Sequence, residues 1–454
     1  MNILQTARET FGWAKSKIPN NAELEIYASQ GRGRSVLWSE QKCEQVSQAE
    51  GGGAGIRVIL KEKNGAGRQG FAFSTRLTKD SIEQTAQKAL ESAQKLEQDE
   101  FRRIPAGPLS PSMTADGSFF DKSVFSETVT SLQERLKSKE ALLLKQYPLL
   151  KSVLRAGYSE GMGETAIINS CGIETAYDGT HCSLGVSCLV EKDGERQEGG
   201  YGLSRIFRNE LDWDSIFDQS ARRSIALLGG QPIPSGETPV VFDPSVACEF
   251  LSLVSGAVCA DSVQKGKSFL AGKIGQSVSS GLVSIVDDGT LKKGLGTSPV
   301  DDEGVPTQRT PVIEAGQLKN YLYDTYTALK DRTRSTGNAS RAGFKSSPGP
   351  GTSNFYLCAG KTPREQILKD TRGLYLYEVM GLHMADPISG DFSVGVIGAK
   401  LENGEFKSGV RSVTLAGNIL DMLKKIDAVG TDLTFFGATG SPTFRVSGLT
   451  VSGK

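Results

Sequence analysis

Residues 55–60, Gly-Ile-Arg-Val-Ile-Leu, run through Lys63-Asn64-Gly65 into Gly70-Phe71-Ala72-Phe73-Ser74. Two runs rich in β-branched and aromatic residues around an Asn-Gly pair read as a β-hairpin, because Asn-Gly supplies the left-handed backbone that a tight reversal needs. The same order returns later as Gly185-Val186-Ser187-Cys188-Leu189-Val190, the turn Asp193-Gly194, and Gly200-Tyr201-Gly202-Leu203-Ser204. Gly55, Gly70 and Ser74 map onto Gly185, Gly200 and Ser204 at one constant offset. A helix follows each hairpin, opening Asp80-Ser81-Ile82 in the first copy and Asp214-Ser215-Ile216 in the second. Such self-similarity predicts a duplicated strand-hairpin-helix unit.

Outward from the first hairpin, Leu4, Ala7, Phe11 and Ala14 recur at helical spacing before Pro19, so residues 2–17 are expected to be an amphipathic helix. Strand patterns follow at Leu24–Ala28 and Ser35–Trp38, and Gly51-Gly52-Gly53-Ala54-Gly55 reads as a flexible turn feeding the hairpin. Ile82, Ala86, Ala89, Ala93 and Leu96 mark one helix face, with Thr78 as its cap, and Phe125, Val129, Leu132 and Leu136 mark another. Residues 99–122 between them form a Pro-containing connection.

Gly229-Gly230 stops the last helix of the second copy, and Gln231-Pro232-Ile233-Pro234-Ser235-Gly236 reads as a linker. The boundary is therefore placed near residue 235, giving an N-terminal α+β domain over 1–235 and a C-terminal β-rich domain over 236–454. In the second, Val240–Phe242 is a strand, and Asp243-Pro244 is an N-cap followed by Pro at the first helical position. A helix to about residue 260 leads into short strands at Leu282–Val286, Pro311–Leu322, Phe355–Cys358, Leu374–Val379, Phe392–Leu401 and Val410–Leu415, with a helix near Asn418–Ile426. Strands and helices without regular βαβ alternation give an α+β class.

With 454 residues, 38% of them hydrophobic and 23% charged, the chain can bury large cores. Lys plus Arg and Asp plus Glu are both 52, so no overall field favours nucleic acid. Arg8, Glu9, Lys15 and Lys17 interrupt any secretory apolar run, and no stretch approaches the roughly 18 apolar residues of a membrane span, so a cytoplasmic location is expected. Seven Cys without a CxxC pair read as reduced thiols.

Only two His, His181 and His383, limit the chemistry. No HExxH pair exists, and His181 with Cys182 and Cys188 makes an awkward metal site, since adjacent strand residues point to opposite faces. There is no GxSxG elbow and no GKS or GKT phosphate loop; a triad assembled in space stays open. Asp287-Asp288-Gly289-Thr290 and Asp301-Asp302-Glu303-Gly304 lack alternating cation-ligand spacing and read as turns. The loop containing Arg334, Gly337, Asn338 and Arg341 reads as solvated, or as a peptide- or partner-contacting loop whose Arg forks engage carboxylates. His383 with Asp386 and Asp391 is either a turn entering the next strand or a general base or pH-sensitive contact.

Three stretches, VVFDPSVACEFLSLVSG from Val240, VDDGTLKKGLGTSPVDDEGVPTQRTPVIEAGQLKNYLYD from Val286 and GLHMADPISGDFSVGVIG from Gly381, with STGNASR from Ser335, resemble the TldD/TldE (PmbA) family, long labelled "modulator of DNA gyrase". In that family the TldD-type subunit is a zinc peptidase with an HExxxH helix and a further Cys ligand near the C-terminus. Laid on this chain, the helix reads Ser252-Leu253-Val254-Ser255-Gly256-Ala257, with Ser252 and Ala257 in place of the two His and Leu253 in place of Glu. Thr434–Gly440 offers no Cys. GLHMADPISGDFS is similar to the TldE signature. The resemblance thus implies a non-catalytic TldE-type subunit without catalytic or metal residues of its own, paired with a zinc-bearing TldD-like partner in a heterodimer acting on unfolded or small peptides. Peptide maturation and antitoxin degradation are the family roles. A homodimeric peptide-binding protein, or an enzyme using His383 with Asp386 or Asp391, are the competing expectations.

Overall fold

The duplicated order read above is the order in which one sheet is built. The computed structural model describes residues 2–109 and 119–453, so part of the 99–122 connection lies outside the described residues. The first half runs α1 (Ile3–Lys15), β1 (Ala22–Ser39), β2 (Lys42–Lys61), β3 (Gly67–Ser74), α2 (Lys79–Lys95), then α3 (Val129–Gln146), β4 (Leu150–Asn169), β5 (Glu174–Lys192), β6 (Glu195–Arg205) and α4 (Trp213–Ala226). The strands form one antiparallel sheet in the order β3-β2-β1-β4-β5-β6. Arg32 of β1 pairs with Met162 of β4. The offset that carries Gly55 onto Gly185 also carries Arg32 onto Met162, so an approximate two-fold axis passes between these partners.

The last strand of each copy breaks the constant offset by one residue. Val58 pairs with Gly70, but Cys188, its counterpart, pairs with Gly199 and not Gly200. The cause is the turn. Lys61 and Gly67 bracket a loop over residues 62–66, whereas Lys192 and Glu195 bracket the two-residue turn Asp193-Gly194, with φ of 51° and 81°. Both glycines admit a helix: a Cβ on Gly70 would lie 1.9 Å from the Ala89 carbonyl oxygen of α2, and one on Gly199 would lie 2.7 Å from the Ser224 nitrogen of α4.

Among the described residues, the four helices of this half cover one face of the sheet. α1 and α2 pack over Leu24, Ile26, Ile56, Val58 and Ile168 at one end, and α3 and α4 over Val36, Trp38, Val153, Leu184 and Val186 at the other. Asn2 caps α1 through its side chain, while Thr78 precedes α2 without a side-chain cap bond. Three local expectations change. Leu96 falls beyond α2 and is exposed. Phe125 precedes α3 with φ of 67° and lies beneath the guanidiniums of Arg32 and Arg34. Gly51–Gly55 is no turn but the middle of β2, where a Cβ on Gly53 would lie 2.4 Å from the Phe344 ring.

The second half runs β7 (Gly236–Phe242), α5 (Pro244–Val258), α6 (Ala260–Gln264), β8 (Ile285–Asp288), β9 (Arg309–Glu314), β10 (Gln317–Leu318), α7 (Thr325–Lys330), β11 (Ala339–Ser340), β12 (Gly349–Pro350), β13 (Phe355–Leu357) and α8 (Arg364–Lys369). It ends β14 (Arg372–Met380), β15 (Asp391–Glu402), β16 (Glu405–Asn418), α9 (Ile419–Lys424), β17 (Ile426–Val429), β18 (Thr434–Phe436), β19 (Thr439–Ser441) and β20 (Phe444–Ser452). One sheet follows the order β10-β9-β8-β13-β19-β18 and the other β16-β15-β14-β7-β20-β17, in which β20 also pairs with β16 and closes a ring. α5 lies in the core of this half. Phe250 meets Phe242 and Phe392 edge to face at 5.2 Å each, and Phe242 stacks on Phe444 at 4.6 Å. Burying each such side chain contributes about 2–3 kcal/mol. The class is α+β, as the element pattern implies.

Candidate functional site

α5 has a second side. Asp243 caps its first turn, accepting from the Ser245 N–H at 3.0 Å, and Pro244 needs no donor there. Val246, Ala247, Phe250, Leu251 and Val254 turn inward, while Glu249 and Ser252 face outward. That outward side walls a groove. A cavity of about 860 Å³ lies between it and the bare face of the duplicated sheet, floored by Gly157, Gly185, Gly200 and Gly202 and walled by Tyr377, Glu378 and Phe436. A second cavity of about 600 Å³ shares Ser245, Glu249 and Phe436 with the first and continues along Ser252 and Leu253 to His383. Glycines on the floor let another backbone approach closely. Glu249 is raised above its ordinary range by burial and by the charge of Glu378, and Glu378 by burial and by Glu198.

The orientation of α5 is set from both halves. Asp243 accepts from Arg223 Nη2 of α4 at 2.6 Å, from the Tyr375 hydroxyl of β14 at 2.7 Å and from the Ser245 hydroxyl at 2.6 Å. Burial pushes its carboxyl up, but Arg223 and the hydroxyl donors outweigh this and hold it below the usual range. Arg364 donates to the Tyr375 hydroxyl at 2.9 Å, and the Arg223 guanidinium lies 4.7 Å from the Tyr201 ring centre. Asp243-Pro244 announces the cap in sequence. Nothing in sequence announces Arg223, Tyr375 or Arg364, which come from other elements.

The positions that the family resemblance would assign to zinc do not fit the metal. Ser252 donates its hydroxyl to the Glu249 carbonyl at 2.6 Å, Leu253 packs against the core, and Ala257 is buried in it. None of the three side chains offers an imidazole or carboxylate. Cys248, one turn before Ser252, hydrogen-bonds to the Thr439 carbonyl at 3.5 Å, and burial pushes its thiol up to about 12, so it stays protonated. Among the described residues, no group of three or more His, Cys, Asp or Glu is placed to hold a metal ion.

The other sequence candidates separate. His383 is exposed at the far end of the groove. Asp386 accepts from the Ile388 N–H at 2.8 Å, and Asp391 accepts from Ser389 at 2.9 Å and Asn418 at 2.8 Å. Both carboxylates thus fold the turn, and neither binds His383 among the described residues. Arg334 is exposed. Gly337, with φ of 70°, is needed because a Cβ would lie 2.3 Å from the Pro306 carbonyl oxygen. Asn338 is buried, donating to Asp287 at 2.7 Å and the Gly351 carbonyl at 3.0 Å. The Arg341 side chain is wholly buried against Glu25 and the Asp302 carbonyl. Asn338 and Arg341 therefore work inside the chain, a correction to the solvated-loop reading: their long-range partners were invisible in the local sequence. Of the acidic segments expected as turns, residues 301–304 form one, but Asp287 and Asp288 end strand β8 and only Gly289 and Thr290 turn. Asp288 accepts from the Thr290 N–H and hydroxyl, and Asp301 from the N–H groups of Glu303 and Val305. His181 is exposed while Cys182 is buried, as opposite strand faces require.

Comparison with known proteins shows which family this fold and groove belong to. Three family models match in succession: PmbA/TldA metallopeptidase domain 1 over residues 24–93, the central domain over 123–228 and the C-terminal domain over 235–453. The chain belongs to the PmbA/TldD metallopeptidase family. A Methanocaldococcus jannaschii protein named a metalloprotease is 28% identical over 88% of both chains, and "Metalloprotease PmbA" of Escherichia coli is 28% identical over 90% of this chain and 87% of its own. A Thermotoga maritima structure described as a modulator of a DNA gyrase superposes with a TM-score of 0.88 at 28% identity, covering 99% of each chain. TldE of Thermococcus kodakarensis shares the fold, with a TM-score of 0.87 at 20% identity over 99% of this chain and 100% of its own. Among the described residues, no helix is long and apolar enough to cross a membrane.

Proposed function

We propose that this chain is a TldE/PmbA-type, non-catalytic subunit of a cytoplasmic TldD/TldE-type complex, in which a TldD-like partner holds the zinc and hydrolyses unfolded or small peptides. The observation that carries this reading is the groove side of α5, where a hydroxyl and an alkyl chain stand at Ser252 and Leu253, and a buried methyl at Ala257. These groups cannot polarise a water for amide hydrolysis. The groove itself supports peptide handling. Its glycine floor admits an extended backbone, and β6, last in its sheet, offers an edge to which a strand can add. Peptide maturation and antitoxin degradation are the processes such a complex would serve.

Because the groove is complete within one chain, a second reading follows: a homodimeric protein that binds peptides without cutting them. The two separate in one assay. An unfolded peptide is incubated with the chain, with a TldD-like partner and with both, with and without chelator. Cleavage faster in the mixture than with either alone, and abolished by chelator, is expected. Cleavage by the isolated chain that survives chelation would refute the non-catalytic assignment. Binding of peptide with no change in the partner's rate would favour the second reading.

A further inference from the structure

The groove beside α5 carries charges that this chain does not answer. Glu198 of β6, Glu249 of α5 and Glu378 of β14 all line it, and among the described residues none of their side chains makes a hydrogen bond or ion pair. Burial and then Glu378 raise the Glu249 carboxyl, and burial and then Glu198 raise that of Glu378, against a weaker pull from Arg223. Carboxylates crowded in this way favour a cation that enters between them. The lining offers two guanidiniums, of Arg155 and Arg223. Arg223 is already neutralised by Asp243 at 2.6 Å, so three carboxylates outnumber the one guanidinium, that of Arg155, left without an ion pair among the described residues.

The floor and wall of the groove point to what that cation is attached to. Gly157, Gly185 and Gly202 pair in one row across β4, β5 and β6. Leu184 and Val186 turn toward the helices, so position 185 faces the groove, and a Cβ built on Gly185 would meet nothing within 4 Å. No contact inside the chain requires glycine there, and the row is a lane open to a backbone from outside. On the wall, Arg223 is 8% exposed and donates through Nη1 to the Ser245 hydroxyl at 3.1 Å and through Nη2 to Asp243, while its Nε is buried without a hydrogen-bond partner among the described residues. A buried donor left unmet is destabilising, and an arriving acceptor relieves it. Because this guanidinium is already paired with Asp243 and stands in a groove rich in carboxylates, the acceptor that fits is a neutral carbonyl.

We propose that the groove selects peptides by a basic side chain: the backbone lies along the glycine lane, one of its carbonyls accepts from Arg223 Nε, and a Lys or Arg side chain reaches Glu249 and Glu378. This rests on the reading of the groove as a peptide site and names the class of peptide it takes. The Tyr377 ring, half-buried and centred 5.9 Å from the Arg223 guanidinium, moves aside to admit the carbonyl. Phe436, on the same wall, offers the stem of the basic side chain an apolar surface. An acidic residue at that position meets repulsion from Glu249 and Glu378, and a neutral one gains nothing from them.

Isothermal titration calorimetry of the full-length chain tests it, with unstructured peptides blocked at both ends that differ only in a central Lys, norleucine or Glu. The wild type is expected to bind the Lys peptide about five- to tenfold more tightly than the norleucine peptide, and the Glu peptide more weakly than either, with the preference shrinking as salt is raised. The double variant Glu249→Gln/Glu378→Gln, which removes charge from two side chains without partners, is expected to bind the Lys and norleucine peptides alike. Gly185→Val, whose side chain enters open space, is expected to fold and to weaken all three peptides together. Equal binding of the Lys and norleucine peptides by the wild type, a preference surviving in the double variant, or binding untouched by Gly185→Val would overturn the proposal alone. Binding of none of the peptides would overturn the peptide reading of the groove, and the proposal with it.

Discussion

Arg223 of α4 donates to Asp243 at 2.6 Å, so the last helix of the duplicated half holds the N-cap of the helix that walls the groove. Both side chains are buried. Arg223→Met leaves Asp243 with hydroxyl and backbone donors and with the charge of Arg364 acting across the Tyr375 hydroxyl, but without its direct ion pair, and is expected to lower stability by about 3 kcal/mol in urea unfolding. Since Asp243 is held below its ordinary value, its contribution is present above the unfolded pKa of about 3.9 and is lost as pH falls through the folded one. The gap between variant and wild type should therefore close in acid.

The register of the second hairpin makes a sharper comparison. Gly70→Ala and Gly199→Ala each force a methyl into a helix backbone, and are expected to cost about 1–3 kcal/mol. For Gly200→Ala the nearest atom is the Val186 carbonyl oxygen at 3.1 Å, and the cost should be well under half of that. Thermal unfolding of the three variants decides which glycine is the true counterpart of Gly70.

Asp287 is buried under Asn338 and Ser353, and burial pushes its carboxyl up to about 6 against the pull of those donors. An acid raised on folding destabilises as it ionises, so wild-type stability should fall from about pH 4 through about pH 6, by about 2–3 kcal/mol from this group. Asp287→Asn is expected to remove that slope, whatever its effect on the absolute stability. Denaturant titrations of both proteins across the window measure it.

Thiol accessibility gives a chemical check on the cores. Cys182, Cys188, Cys248 and Cys259 are buried, and burial pushes each up to about 12; Cys43, Cys171 and Cys358 are half-buried. Under native reducing-agent-free conditions, a thiol reagent should modify at most those last three, and all seven after denaturation.

Much of this arrangement was legible from local signals. The repeated hairpins and the Asp243-Pro244 cap each rest on a few consecutive residues whose backbone preferences are strong, and they were found where expected. The one-residue slip at Gly199 was not legible, because turn length is decided by φ values that Lys63-Asn64-Gly65 and Asp193-Gly194 do not spell out. Gly51–Gly55 was misread because glycine usually marks a break, whereas here it makes room for Phe344 from the other half. The same distance hid Arg341 and Asn338. Their pattern is that of a solvated loop, and only the fold brings Glu25 and Asp287 to them.

The central claim concerns zinc. Purified in the presence of equimolar zinc, then desalted, the isolated chain should retain far less than one metal per molecule by elemental analysis, and should show no chelator-sensitive cleavage of an unfolded peptide. One tightly held zinc per chain, located by anomalous scattering beside Ser252 and His383, would contradict the account.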